Sequence, residues 1–188
     1  MGNRTESKLF ICKGLPDFQK FTPENIQNQF PKLLKILEED FKDIETFFTS
    51  RNDNNSYLNW EEIMYPLNKI NEDLRWSWGV ISHLNAVNNS ENLRRVYSNL
   101  LPQVIKLGNK IGQSKIIYKT LKRLKSTNNF DITKNRILDK EILDMEHTGI
   151  SLDNDLQNKF NDISERLGEL STKFSNNVLD ATNKWFLI

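Results

Sequence analysis

Residues 21–48 read FTPENIQNQFPKLLKILEEDFKDIETFF, and this stretch carries the clearest structural signal in the sequence. Apolar residues recur every three or four positions, at 26, 30, 33, 37, 41, 44 and 48, which places them on one face of an α-helix. Thr22 can accept a hydrogen bond from a free backbone N–H, and Pro23 suits the first helical position. The stretch therefore predicts an amphipathic helix that starts at Thr22–Pro23.

The same periodicity predicts helices along the rest of the chain. A second helix is expected over residues 58–78, with Gly79 as its C-terminal stop. A third follows Ser90 as N-cap and either continues or restarts through residues 117–124. A fourth spans residues 132–147. Runs of alternating β-branched residues, the signal for strands, are absent from the sequence.

The fourth helix is expected to end in a Schellman motif, and a fifth follows it. Gly149 would be the C′ residue of the fourth helix, and Ile150 would then contact Met145. The fifth helix, residues 153–184, is the longest and would measure roughly 48 Å at about 1.5 Å per residue. It should overhang a domain of this size unless something packs on it. We predict an all-α bundle of about five helices over residues 21–188, preceded by an irregular arm over residues 1–20.

Three prolines, Pro31, Pro66 and Pro102, fall inside the predicted helices. An interior proline removes one backbone hydrogen bond and costs about 3 kcal/mol. The apolar periodicity continues on both sides of each proline, which favours kinks over breaks.

Bulk composition excludes several classes of protein. The 188 residues are 37% hydrophobic, which suits one domain with a modest core, and the net charge of +1 gives no overall attraction to nucleic acid or acidic membranes. Cys12 is the single cysteine, so no disulfide can form within the chain, which favours a reducing compartment. No signal peptide or stretch of about 20 apolar residues is present. These features predict a cytoplasmic protein without a membrane segment.

The sequence offers no catalytic, cofactor-binding or metal-binding residues. Its two histidines, His83 and His147, are far apart, whereas a helical zinc-protease site needs two on one helix face with a glutamate between them. His83 is interpreted as a loop residue, and His147 is expected near the last carbonyls of its helix. Cys12 lacks a dedicated base and is interpreted as a small apolar residue of the arm. No glycine-rich phosphate loop is present.

Acidic and basic residues are concentrated in different parts of the chain. We interpret both groups as solvent-exposed faces of helices. The adjacent acids Glu38–Glu39 and Glu61–Glu62 should point in different directions and not form a general acid–base pair. Residues 106–140 carry ten lysines and arginines against few acids, a pattern that also occurs in nucleic-acid binders. Aromatic residues do not interleave with these lysines as a stacking platform requires. The preferred interpretation is a solvated surface that also faces the acidic helices over residues 38–73.

The last residues, Trp185–Phe186–Leu187–Ile188, are all apolar, whereas natural termini are usually polar. With the long fifth helix, this tail suggests that more protein follows it in the native molecule.

Three stretches resemble bacterial members of the thimet oligopeptidase family of zinc metallopeptidases. The most specific is FSNNVLDATNKW at residues 174–185. The second is ISHLNAV at 81–87, followed by SENLR at 90–94 and Tyr97. The third is LPDF at 15–18 with TPENI at 22–26, which is similar to the family's entry helix. The resemblance is collinear from about residue 15 to the end of the chain.

This resemblance implies a nearly all-helical N-terminal segment that forms one wall of a peptide channel. It also implies that zinc, its His-Glu-x-x-His helix and a further glutamate ligand lie in a different, downstream domain. No residue of this sequence matches those positions, so none is assigned a catalytic or metal role. The expected function is a channel-wall fragment of a peptidase for short peptides, inactive alone.

Two alternatives remain open at this point. The first is a non-enzymatic helical interaction module, which the exposed apolar surface of the last helix would serve. The second and weaker alternative is nucleic-acid binding through residues 106–140. The expected partners are a catalytic domain or a second copy of the chain, joined through apolar helix faces, with oligopeptides bound only when the catalytic part is present.

Overall fold

The protein folds as an all-α bundle, as the sequence predicts. The structure, a computed structural model, describes residue 10 and residues 14–54 and 57–185, so Cys12 and residues 186–188 of the apolar tail lie outside it. Within these ranges there are six α-helices and no strand. They are α1 (Pro23–Asp53), α2 (Trp60–Val87), α3 (Glu91–Gly112), α4 (Lys115–Thr127), α5 (Ile132–His147) and α6 (Asn154–Lys184), and a short 3-10 helix, Phe18–Lys20, precedes α1.

Side-chain caps fix where the helices begin. The Thr22 hydroxyl accepts a hydrogen bond from the Asn25 N–H at 3.2 Å, and the Ser90 hydroxyl accepts one from the Leu93 N–H at 3.2 Å. Both N-caps are the residues predicted from the sequence. Each cap satisfies one of the backbone donors that a helix start leaves without an intrahelical partner.

The prediction that α2 ends at Gly79 is wrong, because the helix continues to Val87. Gly79 is exposed, and apart from its own stretch of helix no described residue has an atom within 4 Å of where a Cβ would lie, so it fits an ordinary helical position. The apolar stripe also continues beyond it, because Val80, Ile81 and Leu84 are buried. Burial of these three side chains outweighs the cost of one helical glycine, about 1 kcal/mol. The interpretation of His83 as a loop residue is wrong for the same reason.

The third predicted helix restarts rather than continues, which gives six α-helices in the described ranges instead of about five. α3 ends at Gly112, and Ser114 then caps α4 by accepting a hydrogen bond from the Ile117 N–H at 3.2 Å. A Cβ on Gly112 would lie only 2.7 Å from the Thr148 Cγ2 atom, so this turn packs closely against the end of α5.

The end of α5 is as predicted, and the three interior prolines do not interrupt their helices. The Ile150 N–H donates to the Met145 carbonyl at 3.2 Å, and Gly149 has a φ of +88°, which completes the predicted Schellman motif. Pro31, Pro66 and Pro102 each lie inside one continuous helix, so none of them breaks it.

Helix α1 lies at the centre of the core, because it packs against α2, α3 and α4. Its fully buried side chains include Phe30, Leu37 and Phe48. Phe10 of the arm is also fully buried, and its ring packs edge-on against Phe30 at 5.3 Å between centroids. Burial of one such phenylalanine stabilises the fold by about 1.5–3 kcal/mol. This part of the arm therefore belongs to the core.

Helix α6 is attached to the outside of this bundle. It packs mainly against α3, and none of its described residues is buried. No helix in the described part of the chain is long and apolar enough to cross a membrane.

Candidate interaction surface on helix α6

The histidines do not form a metal centre. His83 is exposed on α2, where its ring lies 6.2 Å from that of Phe18, and His147 is exposed as the last residue of α5. In the described ranges, no three His, Cys, Asp or Glu side chains lie close enough together to hold a metal ion. The residues present therefore do not fit the zinc ion that the family resemblance implies, and no catalytic step is assigned to them.

The adjacent acids also act separately. Glu38 pairs with Lys110 of α3 at 2.6 Å, and this hydrogen bond lowers the pKa of the Glu38 carboxyl, whereas Glu39 is exposed. Glu62 pairs with Arg51 at 3.1 Å across the turn between α1 and α2. Glu38 and Glu62 therefore pair with cations of other elements and not with the acid beside them.

Several cations of the basic segment 106–140 face protein groups rather than solvent alone. Lys110 bonds to Glu38 of α1, as the preferred interpretation expected, and Arg123 donates to the Arg51 carbonyl at 2.9 Å. Lys134 lies over the Trp60 ring at 5.2 Å from its centroid. These three contacts join neighbouring elements of the bundle.

Helix α6 packs on α3 through a face of small and polar residues. A Cβ on Gly168 would lie 2.5 Å from the Ile105 Cδ1 atom and 3.5 Å from Leu101 Cδ2, so the helices approach closely at this glycine. About two turns before Gly168, the Asn161 side chain of α6 exchanges amide hydrogen bonds of 2.8 and 3.3 Å with Gln113, which follows α3. These contacts fix the orientation of α6 about its own axis.

An ion pair holds the C-terminal half of α6. Arg94 at the start of α3 donates two hydrogen bonds to the Asp180 carboxylate, and Asn89 accepts a further bond from the Arg94 guanidinium. The Arg94 hydrogen bonds lower the pKa of Asp180, and the same bonds raise the pKa of Arg94. A bidentate pair of this kind fixes the relative orientation of the two side chains in addition to stabilising the contact.

This orientation leaves the apolar face of α6 exposed. Six side chains form this surface, which we name the apolar stripe, and each is 47% to 70% exposed. Its members are Leu156, Ile163, Leu167, Leu170, Phe174 and Val178. At about 100° of rotation per residue, all six fall on one side of the helix, away from Gly168 and Asn161. Monomeric proteins rarely expose a continuous apolar surface of this length, which makes the stripe a candidate contact surface.

A neutral groove adjoins the C-terminal half of the stripe. Its volume is about 550 Å³, and it lies between the end of α2, Tyr97 of α3 and α6. Its lining includes Ser82 and Asn85 on one side and Phe174, Ser175 and Val178 on the other, and none of the described residues that line it is charged. The groove therefore offers hydroxyl and amide groups beside apolar side chains.

The walls of this groove are the stretches at 81–87 and 174–185 that carry the family resemblance. Comparison with known proteins agrees with that resemblance. A sequence model described as the N-terminal domain of neurolysin and thimet oligopeptidase matches residues 30–157. The chain belongs to this family. Within the described bundle, the match covers α2 to α5, most of α1 and the start of α6.

Curated relatives match almost the whole chain but extend far beyond it. Oligopeptidase A of Haemophilus influenzae is 34% identical over 94% of this chain and 25% of its own length. Oligopeptidase A of Escherichia coli is 30% identical over 91% and 25%, and the probable cytosolic oligopeptidase A of Arabidopsis thaliana is 31% identical over 90% and 24%. The chain thus spans about a quarter of the length of these relatives.

Sequence reasoning found the helices of the interaction surface but not the groove. The apolar periodicity predicts the helix that carries the stripe, but not which face of that helix turns away from α3. The groove depends on α2 continuing past Gly79, because Ser82 and Asn85 lie beyond that residue. The uninterrupted apolar spacing at Val80, Ile81 and Leu84 was the signal that could have revealed it.

Proposed function

We propose that this chain is the N-terminal wall segment of an oligopeptidase that cleaves short peptides. The match of its bundle to the N-terminal domain of the neurolysin and thimet oligopeptidase family carries this proposal. Similarity to proteins named oligopeptidase A over at least 90% of the chain supports it. A cytoplasmic location is part of the proposal.

In this proposal the chain contributes shape rather than chemistry. Its helices would form one side of a channel that admits short peptides and excludes folded proteins. Bond cleavage would require a catalytic region of the kind that the relatives' additional length can accommodate. No step of hydrolysis is assigned to His83 or His147, because both are exposed on separate helices.

The apolar stripe supports the need for a partner. Hydrophobic association stabilises a complex in proportion to the apolar area that it removes from water. A catalytic region that covers α6 would remove these six side chains from water. The same observation also supports the alternative of a non-enzymatic helical interaction module, in which an unrelated partner covers α6.

Peptide hydrolysis tests the proposal directly. The purified 188-residue chain is mixed with a quenched fluorescent oligopeptide, alone, with zinc and with a chelator. We expect no turnover above buffer in any of these mixtures. The chain is then added to E. coli oligopeptidase A from which the matching N-terminal quarter has been removed, and we expect turnover to rise with the amount added.

Two results would contradict the proposal in different ways. Chelator-sensitive turnover that co-purifies with the chain alone would show that it has a metal site of its own. A truncated relative that gains nothing from the chain, while full-length oligopeptidase A is active in the same assay, would favour the interaction module. A chimera of this chain with the rest of the relative provides a second measurement if the separate parts do not associate.

A further inference from the structure

The apolar stripe follows the seven-residue pattern of a coiled-coil seam. From Leu156 to Phe174 its members are separated by three, four or seven residues, and Phe160, half-buried, fills the gap in the pattern. Apolar residues that alternate at three and four positions form a seam against a second helix. The stripe therefore fits an α-helical partner that lies along α6.

The two edges of this seam differ in charge. One edge carries Lys159, Arg166 and Lys173, which are spaced seven residues apart and all exposed, and we name it the basic edge. The other edge carries Gln157, Ser164 and Ser171 at the same spacing. Residues beside a coiled-coil seam contact the edges of the partner helix and determine which partner binds.

Acidic residues lie next to the basic edge, on the side away from the stripe, so the cations remain the charges nearest to the stripe. Asp155, Asp162 and Glu169 lie one row farther from the stripe, four residues before each cation. Arg166 bonds to Glu169 at 2.9 Å, and both side chains are more than half exposed. An exposed pair of this kind contributes little to stability, so it can exchange for a partner carboxylate at small cost.

This pattern argues against a second copy as the occupant of the stripe. In an antiparallel pair of α6 helices the two basic edges would face each other, and like charges at this position oppose pairing. In a parallel pair the basic edge would face the serine-containing edge and gain no ion pair. Self-association through the stripe, which the sequence suggested, would therefore rest on apolar contact alone.

We propose that the apolar stripe of α6 binds an amphipathic helix whose edge is acidic. Glutamates or aspartates on that edge would pair with Lys159, Arg166 and Lys173, and its apolar residues would cover Leu167 and Leu170. At the C-terminal half, the partner helix would also fill the neutral groove beside Phe174. The inference rests on the proposed function for the source of this helix, which is the catalytic region of the peptidase.

Synthetic helices test the charge pattern without the catalytic region. Two peptides with leucine at every seam position are prepared, one with glutamate and one with lysine at all positions that flank the seam. Neither peptide pairs with itself, because its flanking charges repel. Binding to the 188-residue chain is measured by fluorescence anisotropy at low and high salt. We expect the glutamate peptide to bind at least tenfold more tightly than the lysine peptide, and this preference to shrink as salt is added.

Charge reversal gives the decisive comparison. The triple variant Lys159→Glu, Arg166→Glu and Lys173→Glu should reverse the preference and favour the lysine peptide. All three side chains are exposed, so the variant should keep its helical circular dichroism. A control variant with Lys115→Glu, Lys119→Glu and Lys122→Glu on α4 changes the net charge equally and should keep the original preference.

Three outcomes would overturn this inference. Equal binding of both peptides would show that apolar contact alone selects the partner, and absence of binding at millimolar peptide would show that the stripe does not accept a helix. A dimer in sedimentation experiments that blocks the glutamate peptide would identify a second copy as the occupant. None of these results depends on peptide hydrolysis, so each is distinguishable from failure of the proposed function.

Discussion

Arg94 of α3 and Asp180 of α6, 86 residues apart in the sequence, form a bidentate ion pair. The Nη1 atom lies 2.9 Å from Oδ2, and the Nη2 atom lies 2.6 Å from Oδ1. Both residues belong to the stretches that carry the family resemblance. The pair joins the start of α3 to the last turns of α6 and so holds one wall of the neutral groove in place.

The ion pair predicts a pH-dependent contribution to stability. The pKa of Asp180 lies below its ordinary value of 3.8, because Arg94 favours the charged carboxylate. A lowered pKa stabilises the fold above the ordinary value, and this stabilisation is lost as the pH falls below 3.8 through the lowered pKa. We expect Asp180→Asn to lower the melting temperature slightly at neutral pH, since Asp180 is partly exposed, and the difference from wild type to shrink near pH ~3.

Thermal melts followed by circular dichroism measure this difference at both pH values. Asp162→Asn, an exposed change on the same helix, provides the control and should have a smaller effect at neutral pH. A deficit of Asp180→Asn that stays the same in acid would show that the side-chain amide disturbs packing and that the ionised pair is not the cause.

The opposite sign is expected for Glu141 of α5. Burial raises its pKa above the ordinary value of 4.5, and the nearby charge of Asp144 adds to this effect. A raised pKa means that ionisation costs more in the folded state, so this penalty appears as the pH rises above 4.5. Glu141→Gln should therefore raise the melting temperature at neutral pH and have little effect near pH ~4. A lower melting temperature at neutral pH would show that the carboxylate makes a favourable contact.

The sequence predicted helices best where local signals and tertiary packing agree. The bounds of α5, Ile132–His147, and the caps at Thr22 and Ser90 are as predicted, because caps and glycine turns act within a few residues. The predicted end of α2 at Gly79 is wrong, because burial of later residues outweighs the local stop signal. The restart at Ser114 has a local signal in its serine cap, whereas the close packing of Gly112 on Thr148 is a tertiary contact that the sequence does not reveal.

The candidate surface could be predicted only in part for similar reasons. The apolar spacing of α6 and its length alone predict a helix face that the bundle does not cover. Which face turns toward α3 depends on Gly168 and on the Gln113–Asn161 amide pair, which are tertiary contacts. The basic edge can be recognised only when the rotation of α6 about its own axis is known.

The cap of α4 has a second role that can be measured. Ser114 caps the helix, and its buried hydroxyl also donates to the Glu45 carboxylate at 2.6 Å, whereas Ser90 caps α3 from an exposed position. Loss of a serine cap costs about 1 kcal/mol, and a hydrogen bond to a charged group adds about 1.5–3 kcal/mol. Ser114→Ala should therefore lower the free energy of unfolding by more than Ser90→Ala does. Urea titration of both variants checks this, and equal losses would assign no stability to the Glu45 bond.

Close packing at Gly168 predicts a large effect of a small substitution. A valine there would bring its Cβ to 2.5 Å from Ile105 Cδ1, so either the Ile105 side chain changes its rotamer or α6 moves away from α3. Overpacking of this kind costs about 1–3 kcal/mol. Gly108→Val on α3 is the matched control, because apart from its own stretch of helix no described residue has an atom within 4 Å of the Gly108 Cβ position. Similar urea midpoints for the two variants would show that α6 yields without cost.

A substitution of Leu167, in the centre of the apolar stripe, should affect association with a partner without affecting the stability of the fold. Its side chain is 63% exposed, so Leu167→Glu should change the free energy of unfolding by less than about 0.5 kcal/mol, since glutamate also favours helices. Leu107→Ala, at a buried position of α3, should by contrast cost about 2–5 kcal/mol. If a partner covers the stripe, Leu167→Glu places a charge in an apolar interface, and desolvation of that charge opposes association. The variant should then fold normally but reduce, by tenfold or more, the hydrolysis that the chain restores to the truncated relative. Undiminished hydrolysis by folded Leu167→Glu protein would place the contact with the catalytic region elsewhere on the bundle.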